Sequence, residues 1–241
     1  MDNHTQAQLY LSDQRGCSQI DYFRSFHDFN FGSYVSEHRE PFGALKLLND
    51  DTLKAGYSIS MHVEETTTVI LLPIVGGLEY QSSVGTGFLE AGQTQILSLS
   101  AGMSYQISNP YETELINFIQ IWLTDQSSAF TPASQQTSFN LTDKNKLLPF
   151  FSINSTANTN HGQSTGFIGT YAGREEDVYQ LRKAENGIFV FILSGAFEIQ
   201  NRLLHERDGL ALSAIQHGEV DFEALSNDAI LLLLEIPLNE S

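Results

Sequence analysis

The sequence predicts an all-β protein in which two β-rich units, barrels or sandwiches, follow one another. Short apolar segments, several with period-two alternation, recur at spacings of roughly 8 to 12 residues and are separated by Gly and Asn turns. A polar stretch interrupts this rhythm near the middle of the chain, and the rhythm then resumes. We therefore predict two successive units of the same kind.

Composition excludes several classes of function. The chain has 241 residues, 41% of them hydrophobic, which is enough for globular cores. Its formal net charge of -17 opposes binding to nucleic acids and to anionic membranes, so we expect neither as a partner. No signal peptide and no membrane-length apolar run is recognisable, which predicts a cytoplasmic protein. The single cysteine, Cys17, excludes an internal disulfide and fits a reducing compartment.

The first unit is predicted to end near residue 124. Residues 1–20 form a polar arm in which Leu9 and Leu11 are candidates for a short edge strand. An aromatic-rich segment follows and is interpreted as strand and packed loop. The strand pair Ala55–Gly77 is central, and Leu115–Leu123 closes the series with period-two alternation.

The second unit repeats the pattern of the first. We predict an N-terminal domain over 1–124, including the arm, a linker over 125–145 and a C-terminal domain over 146–241. Two strands that end in glycine, Val69–Gly76 and Ile188–Gly195, occupy matching places in the two halves. This correspondence indicates an internal duplication.

Much of residues 17–123 carries a recognisable set of short motifs in a fixed order. They are Ser25–Tyr34, Gly43–Leu45, Leu48–Asp51, Ala55–Gly56, Gly76–Ser83, Ala91–Gly92, Ser100–Gly102 and Gln120–Trp122. With these motifs the chain resembles the pirin family of bicupins. The resemblance implies two tandem cupin barrels of the jelly-roll type.

The resemblance also implies the position of a metal site in the first barrel. Pirins carry a His-x-His pair in the central strand pair and a His-x-Glu pair after a later Ala-Gly turn. Aligned on Ala55–Gly56 and Gly76–Gly77, this chain has His62 at the first position and Glu64 at the second. Aligned backward from Asn109–Pro110 and Gln120–Trp122, it has Tyr105 at the third position and Ile107 at the fourth.

This residue set is poor for an iron-type centre, which needs converging imidazole and carboxylate donors. Three of the four positions differ from the family pattern, so we expect no resident metal. Weak capture of a divalent transition metal such as iron by His62 and Glu64 stays open, because residues two apart on a strand share a face. The four side chains are predicted to line a polar pocket. His62 could instead be a hydrogen-bonded interior histidine, and Tyr105 a core aromatic residue.

Cys17 is a candidate redox-sensitive thiol. It follows Arg15 and Gly16, and a nearby cation stabilises the reactive thiolate form. The alternative is a small buried apolar residue without chemical consequence.

Two functions follow from these expectations. The first is a pirin-like bicupin that has lost metal-dependent catalysis. It would bind a small molecule or anion in the N-terminal barrel and act in regulation or redox response, with a protein partner also conceivable. The second is a metal-dependent quercetin 2,3-dioxygenase-like enzyme that uses a variant site at His62 and Glu64.

Overall fold

The computed structural model describes residues 4–124, 130–153 and 163–238. In these ranges the named strands pair antiparallel, and the two helical segments are single 3-10 turns, Ser12–Gln14 and Gln216–Gly218. No helix in the described ranges is long and apolar enough to cross a membrane. The strands of the first half are β1 (Gln6–Tyr10), β2 (Gly16–Ile20), β3 (Phe23–His27), β4 (Leu45–Leu53), β5 (Ser58–His62), β6 (Thr67–Val75), β7 (Leu78–Ser82), β8 (Gly85–Leu89), β9 (Gln93–Leu99), β10 (Ser104–Ser108), β11 (Ile116–Thr124) and β12 (Ala133–Ser138). The strands of the second half are β13 (Lys146–Ile153), β14 (Ser164–Tyr171), β15 (Glu176–Gln180), β16 (Asn186–Ser194), β17 (Ala196–Ile199), β18 (Arg202–His205), β19 (Gly209–Ser213), β20 (Glu219–Ala224) and β21 (Ala229–Pro237).

The N-terminal unit contains a seven-stranded and a four-stranded sheet. The large sheet has the order β12-β9-β6-β11-β4-β3-β2, and the small sheet has the order β5-β10-β7-β8. The central strand β6 is a nearly continuous apolar run buried on both faces, as expected for the middle of a sheet. Side chains from both sheets form one apolar core that includes Val69, Leu97 and Phe118.

The C-terminal unit has the same plan. Its large sheet has the order β1-β19-β16-β21-β14-β13, and its small sheet has the order β15-β20-β17-β18. Its core contains aromatic and aliphatic side chains from both sheets, among them Phe197, Phe222 and Leu233. The all-β prediction with two successive units is confirmed.

Strand order repeats between the two units, as the predicted internal duplication requires. From β12 to β3 the large sheet of the first unit follows the same path as β1 to β13 in the second, and β6 and β16 occupy the same place. Each of these two strands leads into a glycine with positive φ, Gly76 at 76° and Gly195 at 78°. A side chain at either position would be strained in this left-handed conformation, which explains the matching glycines.

Two of the predicted boundaries differ from the structure. The N-terminal arm, expected in the first domain, pairs as β1 with β19 of the C-terminal unit. Tyr10 anchors it, since this side chain is buried and packs edge-on against Phe189 with 5.3 Å between ring centroids. In the predicted linker, residues 125–129 lie outside the described residues, while Ala133–Ser138 forms β12 against β9. An exposed edge strand needs only backbone pairing, so its polar side chains gave no strand signal.

Candidate functional site in the N-terminal unit

The predicted site lies on β5 and β10, which are neighbours in the small sheet. Their register places Tyr105 opposite Met61 and Ile107 opposite Ile59, whereas His62 pairs with Ser104. Directly opposed residues of an antiparallel pair point to the same face of the sheet. Tyr105 and Ile107 therefore share a face with Met61 and Ile59, and His62 points to the other face.

Burial shows which of these faces is the interior. Tyr105 and Ile107 are 1% and 0% exposed and belong to the core, together with Val63. His62 and Glu64 are exposed, and the His62 Nδ1 atom lies 3.1 Å from the Ser104 hydroxyl on the outer face. The prediction that all four residues line one pocket is therefore wrong for His62 and Glu64.

The face to which each side chain of β5 points follows from the register of this strand with β10, which an alignment of motifs does not contain. Because side chains alternate with period two, a slip of one residue exchanges the inner and outer faces. The inward positions on this side are Met61 and Val63.

The interior residues do not fit a metal ion. Met61, Val63, Tyr105 and Ile107 supply a thioether, two aliphatic side chains and a phenol, with neither imidazole nor carboxylate among them. Iron-type sites in proteins need several imidazole and carboxylate donors. Across the three described ranges, no group of three or more His, Cys, Asp and Glu side chains could hold a metal ion.

A chain of hydrogen bonds replaces such a site in this part of the core. The Trp122 indole N–H donates to the Tyr105 hydroxyl over 2.8 Å, and this hydroxyl donates to Gln120 Oε1 over 2.5 Å. The Gln120 amide Nε2 donates to a carboxylate oxygen of Asp51. Three strands are thereby connected through side chains, since Tyr105 lies on β10, Trp122 and Gln120 on β11, and Asp51 on β4.

Asp51 has an unusual environment for a carboxylate. It is completely buried, and its second oxygen, Oδ1, has no hydrogen-bond partner. Burial, opposed by hydrogen bonds from Ser25 and Gln120 and assisted by the neighbouring charge of Asp50, raises the pKa of Asp51 to about 7. The carboxyl group therefore titrates near neutral pH.

Burial acts on Tyr105 as well. It raises the pKa of the Tyr105 hydroxyl well above its usual range, and the Trp122 N–H opposes this shift. The hydroxyl consequently stays protonated and remains a donor to Gln120 at neutral pH.

A buried histidine, His27, lies beside the chain of hydrogen bonds that ends at Asp51. His27 Nδ1 is 2.9 Å from Asn49 Oδ1 and 3.3 Å from the Ser25 hydroxyl, and Nε2 is 2.9 Å from the Ser18 hydroxyl. Because an amide oxygen only accepts, Nδ1 carries the proton and Nε2 accepts from Ser18. Desolvation lowers the pKa of His27 and so favours the neutral ring, although the hydrogen bond to Asn49 acts in the opposite direction.

The C-terminal unit has a buried carboxylate of a different character. Glu235 accepts hydrogen bonds from the Tyr179 hydroxyl at 2.6 Å and from the Asn186 amide at 2.7 Å. The backbone N–H groups of Arg182 and Lys183 also donate to it, each over 3.1 Å. Four donors satisfy this carboxylate, so Glu235 holds a loop in place, whereas Asp51 retains an oxygen without a partner.

Cys17 lies on β2, at the edge of the large sheet, and its side chain is exposed. The alternative of a small buried residue is therefore wrong. The cation expected to stabilise a thiolate, Arg15, pairs instead with Asp50 at 3.3 Å and lies over the Phe26 ring. Accessibility of the thiol is thus present, while the expected activating charge is engaged elsewhere.

Asp51 and Gln120 were missed as functional candidates from the sequence. Both belong to motifs that carry the family resemblance, and there they served only to fix the alignment. A carboxylate and an amide within apolar strands are themselves a signal, because such groups are buried only when they have partners.

Comparison with known families agrees with this architecture. Residues 10–123 match the Pirin family, and residues 163–236 match the quercetinase C-terminal cupin domain. The chain belongs to the pirin family. Among its curated relatives, a quercetin 2,3-dioxygenase of Escherichia coli strain K12 is 26% identical over 91% of this chain and 98% of that protein. A pirin-like protein of Caulobacter vibrioides is 25% identical over 92% of this chain and 96% of that protein.

Solved structures show the same bicupin fold. YhhW from Escherichia coli superimposes with a TM-score of 0.84 at 22% identity, covering 98% of this chain and 100% of that one. YhhW in complex with nickel(II) gives a TM-score of 0.82, also at 22% identity, over 97% of this pirin and 100% of that chain.

Proposed function

We propose that this pirin-family protein has lost metal-dependent dioxygenase chemistry and acts as a binding or regulatory protein, with a small-molecule site at the N-terminal barrel. One observation carries the proposal: the inward positions Met61, Val63, Tyr105 and Ile107 supply neither imidazole nor carboxylate. The relatives named as quercetin 2,3-dioxygenases and the nickel-bound YhhW structure make the enzyme the alternative to test.

The surroundings of Tyr105 favour an uncharged ligand over an anion. Trp122, Phe31 and Met61 are half-buried, and the Trp122 ring packs edge-on against Phe31 at 6.1 Å. These side chains offer apolar and aromatic contact surface, as small-molecule sites do. An anion would meet the buried Asp51 carboxylate and the net charge of -17.

Metal content and oxygen uptake test the loss of dioxygenase chemistry. Protein purified without chelator is expected to contain well under one equivalent of iron, nickel, zinc or copper by elemental analysis. After loading with iron or nickel it should consume no oxygen with quercetin, while the quercetin 2,3-dioxygenase of Escherichia coli, assayed in parallel, does. A stoichiometric metal together with quercetin-dependent oxygen uptake would make the enzyme the better conclusion.

Redox response through Cys17 is a second part of the proposal. Because Cys17 is exposed on an edge strand, native protein should be alkylated by iodoacetamide at this residue, and peroxide should add mass there. Intact-mass analysis measures both, with Cys17→Ser as the control. An unchanged mass after peroxide treatment near neutral pH would remove redox response from the proposal.

A further inference from the structure

The hydrogen-bond chain in the N-terminal core has a fixed direction. An indole N–H can only donate, so the chain begins at Trp122, and an ionised carboxylate can only accept, so it ends at Asp51. Tyr105 and Gln120 each accept from one side and donate to the other. Hydrogen bonds aligned in this way strengthen one another, and the charge of Asp51 strengthens the last of them.

Asp51 lacks a neutralising partner within the part of the chain that the structure describes. The groups around it are Ser25, directly opposite on β3, Phe118, directly opposite on β11, and Gln120. The titratable or charged groups near it are the neighbouring carboxylate Asp50, the neutral His27 that contacts Ser25, and the protonated Tyr105. The nearby Arg15 forms its ion pair with Asp50, and no described lysine or arginine pairs with Asp51.

Protonation of Asp51 weakens the last hydrogen bond of this series, the one that Gln120 donates. A neutral carboxyl group accepts a weaker hydrogen bond than a carboxylate, by roughly a factor of two. The Gln120 amide is then held less firmly, and with it the hydroxyl of Tyr105 that accepts the Trp122 N–H. Trp122 is half-buried and packs against Phe31 at the edge of this core, so a change in its hydrogen bond alters the packing there.

We infer that Asp51 is a proton-operated switch, and that Gln120 and Tyr105 relay its protonation state to Trp122. Burial and the unpartnered Oδ1 atom allow Asp51 to take up a proton near neutral pH. The hydrogen bonds through Gln120 and Tyr105 carry the effect of this protonation to Trp122. If the N-terminal barrel binds a small molecule as proposed above, the switch couples that site to pH, because Trp122 belongs to both. The switch itself requires no ligand.

The fluorescence of Trp122 tests this inference directly, because it is the single tryptophan of the chain. Between pH 5.5 and 8.5 its emission should show one transition with a midpoint near 7, following the pKa of Asp51. Asp51→Asn should abolish the transition. Gln120→Leu should uncouple Trp122 from Asp51 and also abolish it, although the carboxyl group still titrates. Asp50→Asn, on the same strand, is the matched control and should retain it.

Several results would overturn the inference. These are an emission that does not change with pH, a transition that persists in Asp51→Asn and so belongs to another group such as His27, and an unaltered transition in Gln120→Leu. If circular dichroism shows that a variant does not fold, an NMR titration of the wild-type protein tests the inference instead. An aspartate carboxyl resonance in carbon-13 NMR must then titrate with the midpoint of the emission change, and differing midpoints refute the relay. The metal and oxygen assays do not involve Asp51, so the two proposals fail independently.

Discussion

Histidines at Met61, Val63 and Tyr105 with a glutamate at Ile107 are expected to give this protein a tight metal site. Met61 near the end of β5, Val63 just after it, and Tyr105 and Ile107 on β10 face the interior, so three imidazoles and one carboxylate would converge there. The variant Met61→His/Val63→His/Tyr105→His/Ile107→Glu should bind about one equivalent of Ni²⁺, where the wild-type protein should bind well under one. At free metal 100-fold above Kd, binding would stabilise the fold by about 2.7 kcal/mol.

The matched control uses the residues that the sequence alignment suggested. Glu64→His/Tyr105→His/Ile107→Glu keeps the natural His62 and therefore also carries three histidines and one glutamate, but the side chains at 62 and 64 are exposed rather than interior. Isothermal titration with Ni²⁺ and thermal melts with and without metal measure both variants. Tight binding by the control and none by the first variant would show that His62 and Glu64, rather than Met61 and Val63, face the interior. A circular dichroism spectrum of each apo variant establishes that it folds.

These two variants differ at the point where prediction from the sequence failed. The order of strands, the tandem units and the family could be predicted, because period-two alternation and turn residues are local signals. The face on which each side chain of β5 lies could not, because it depends on the pairing of β5 with β10, two strands far apart in the sequence. An error of one residue leaves a strand prediction intact and reverses every side chain on it.

The strand β12, which lies in the predicted linker, was missed for a similar reason. β12 consists of polar residues that are exposed almost throughout, and its stability comes from backbone pairing with β9, a contact between segments far apart in the sequence. β20, by contrast, alternates acidic and apolar residues over Glu219–Ala224, with Val220, Phe222 and Ala224 buried. Its signal was present in the sequence. The hydrogen-bond chain from Trp122 to Asp51 could not be predicted, because its members come from three strands and its geometry depends on their register.

The free energy of unfolding of Asp51→Asn is expected to increase, relative to that of the wild type, as pH rises. In the folded state Asp51 keeps its proton up to a pKa of about 7, whereas in the unfolded chain it loses it near the usual value of about 3.9. Between these values the native state binds more protons than the unfolded state, so the free energy of unfolding falls as pH rises. Asparagine removes this dependence and keeps an oxygen that accepts from Gln120.

The size of the effect follows from the shift of the pKa. A change of about three units corresponds to about 4 kcal/mol, and about 2 kcal/mol of it falls between pH 5.5 and 8.5. This interval avoids the isoelectric region near 4.6. His27 acts in the opposite sense, because its pKa is lowered and the stability from its neutral form is lost as pH falls. Both proteins contain His27, so its contribution cancels in the difference.

Urea unfolding of wild type and Asp51→Asn at several pH values measures this difference. The free energy of unfolding of the variant should gain about 2 kcal/mol on that of the wild type from pH 5.5 to 8.5. Asp50→Asn should not reproduce the trend, because Asp50 pairs with Arg15 and accepts a hydrogen bond from the Asn117 amide. A difference that stays constant with pH would mean that Asp51 is ionised in the folded state throughout this range. Such a carboxylate could not operate as a switch near neutral pH, so the stability curves and the Trp122 emission examine one physical quantity by independent means.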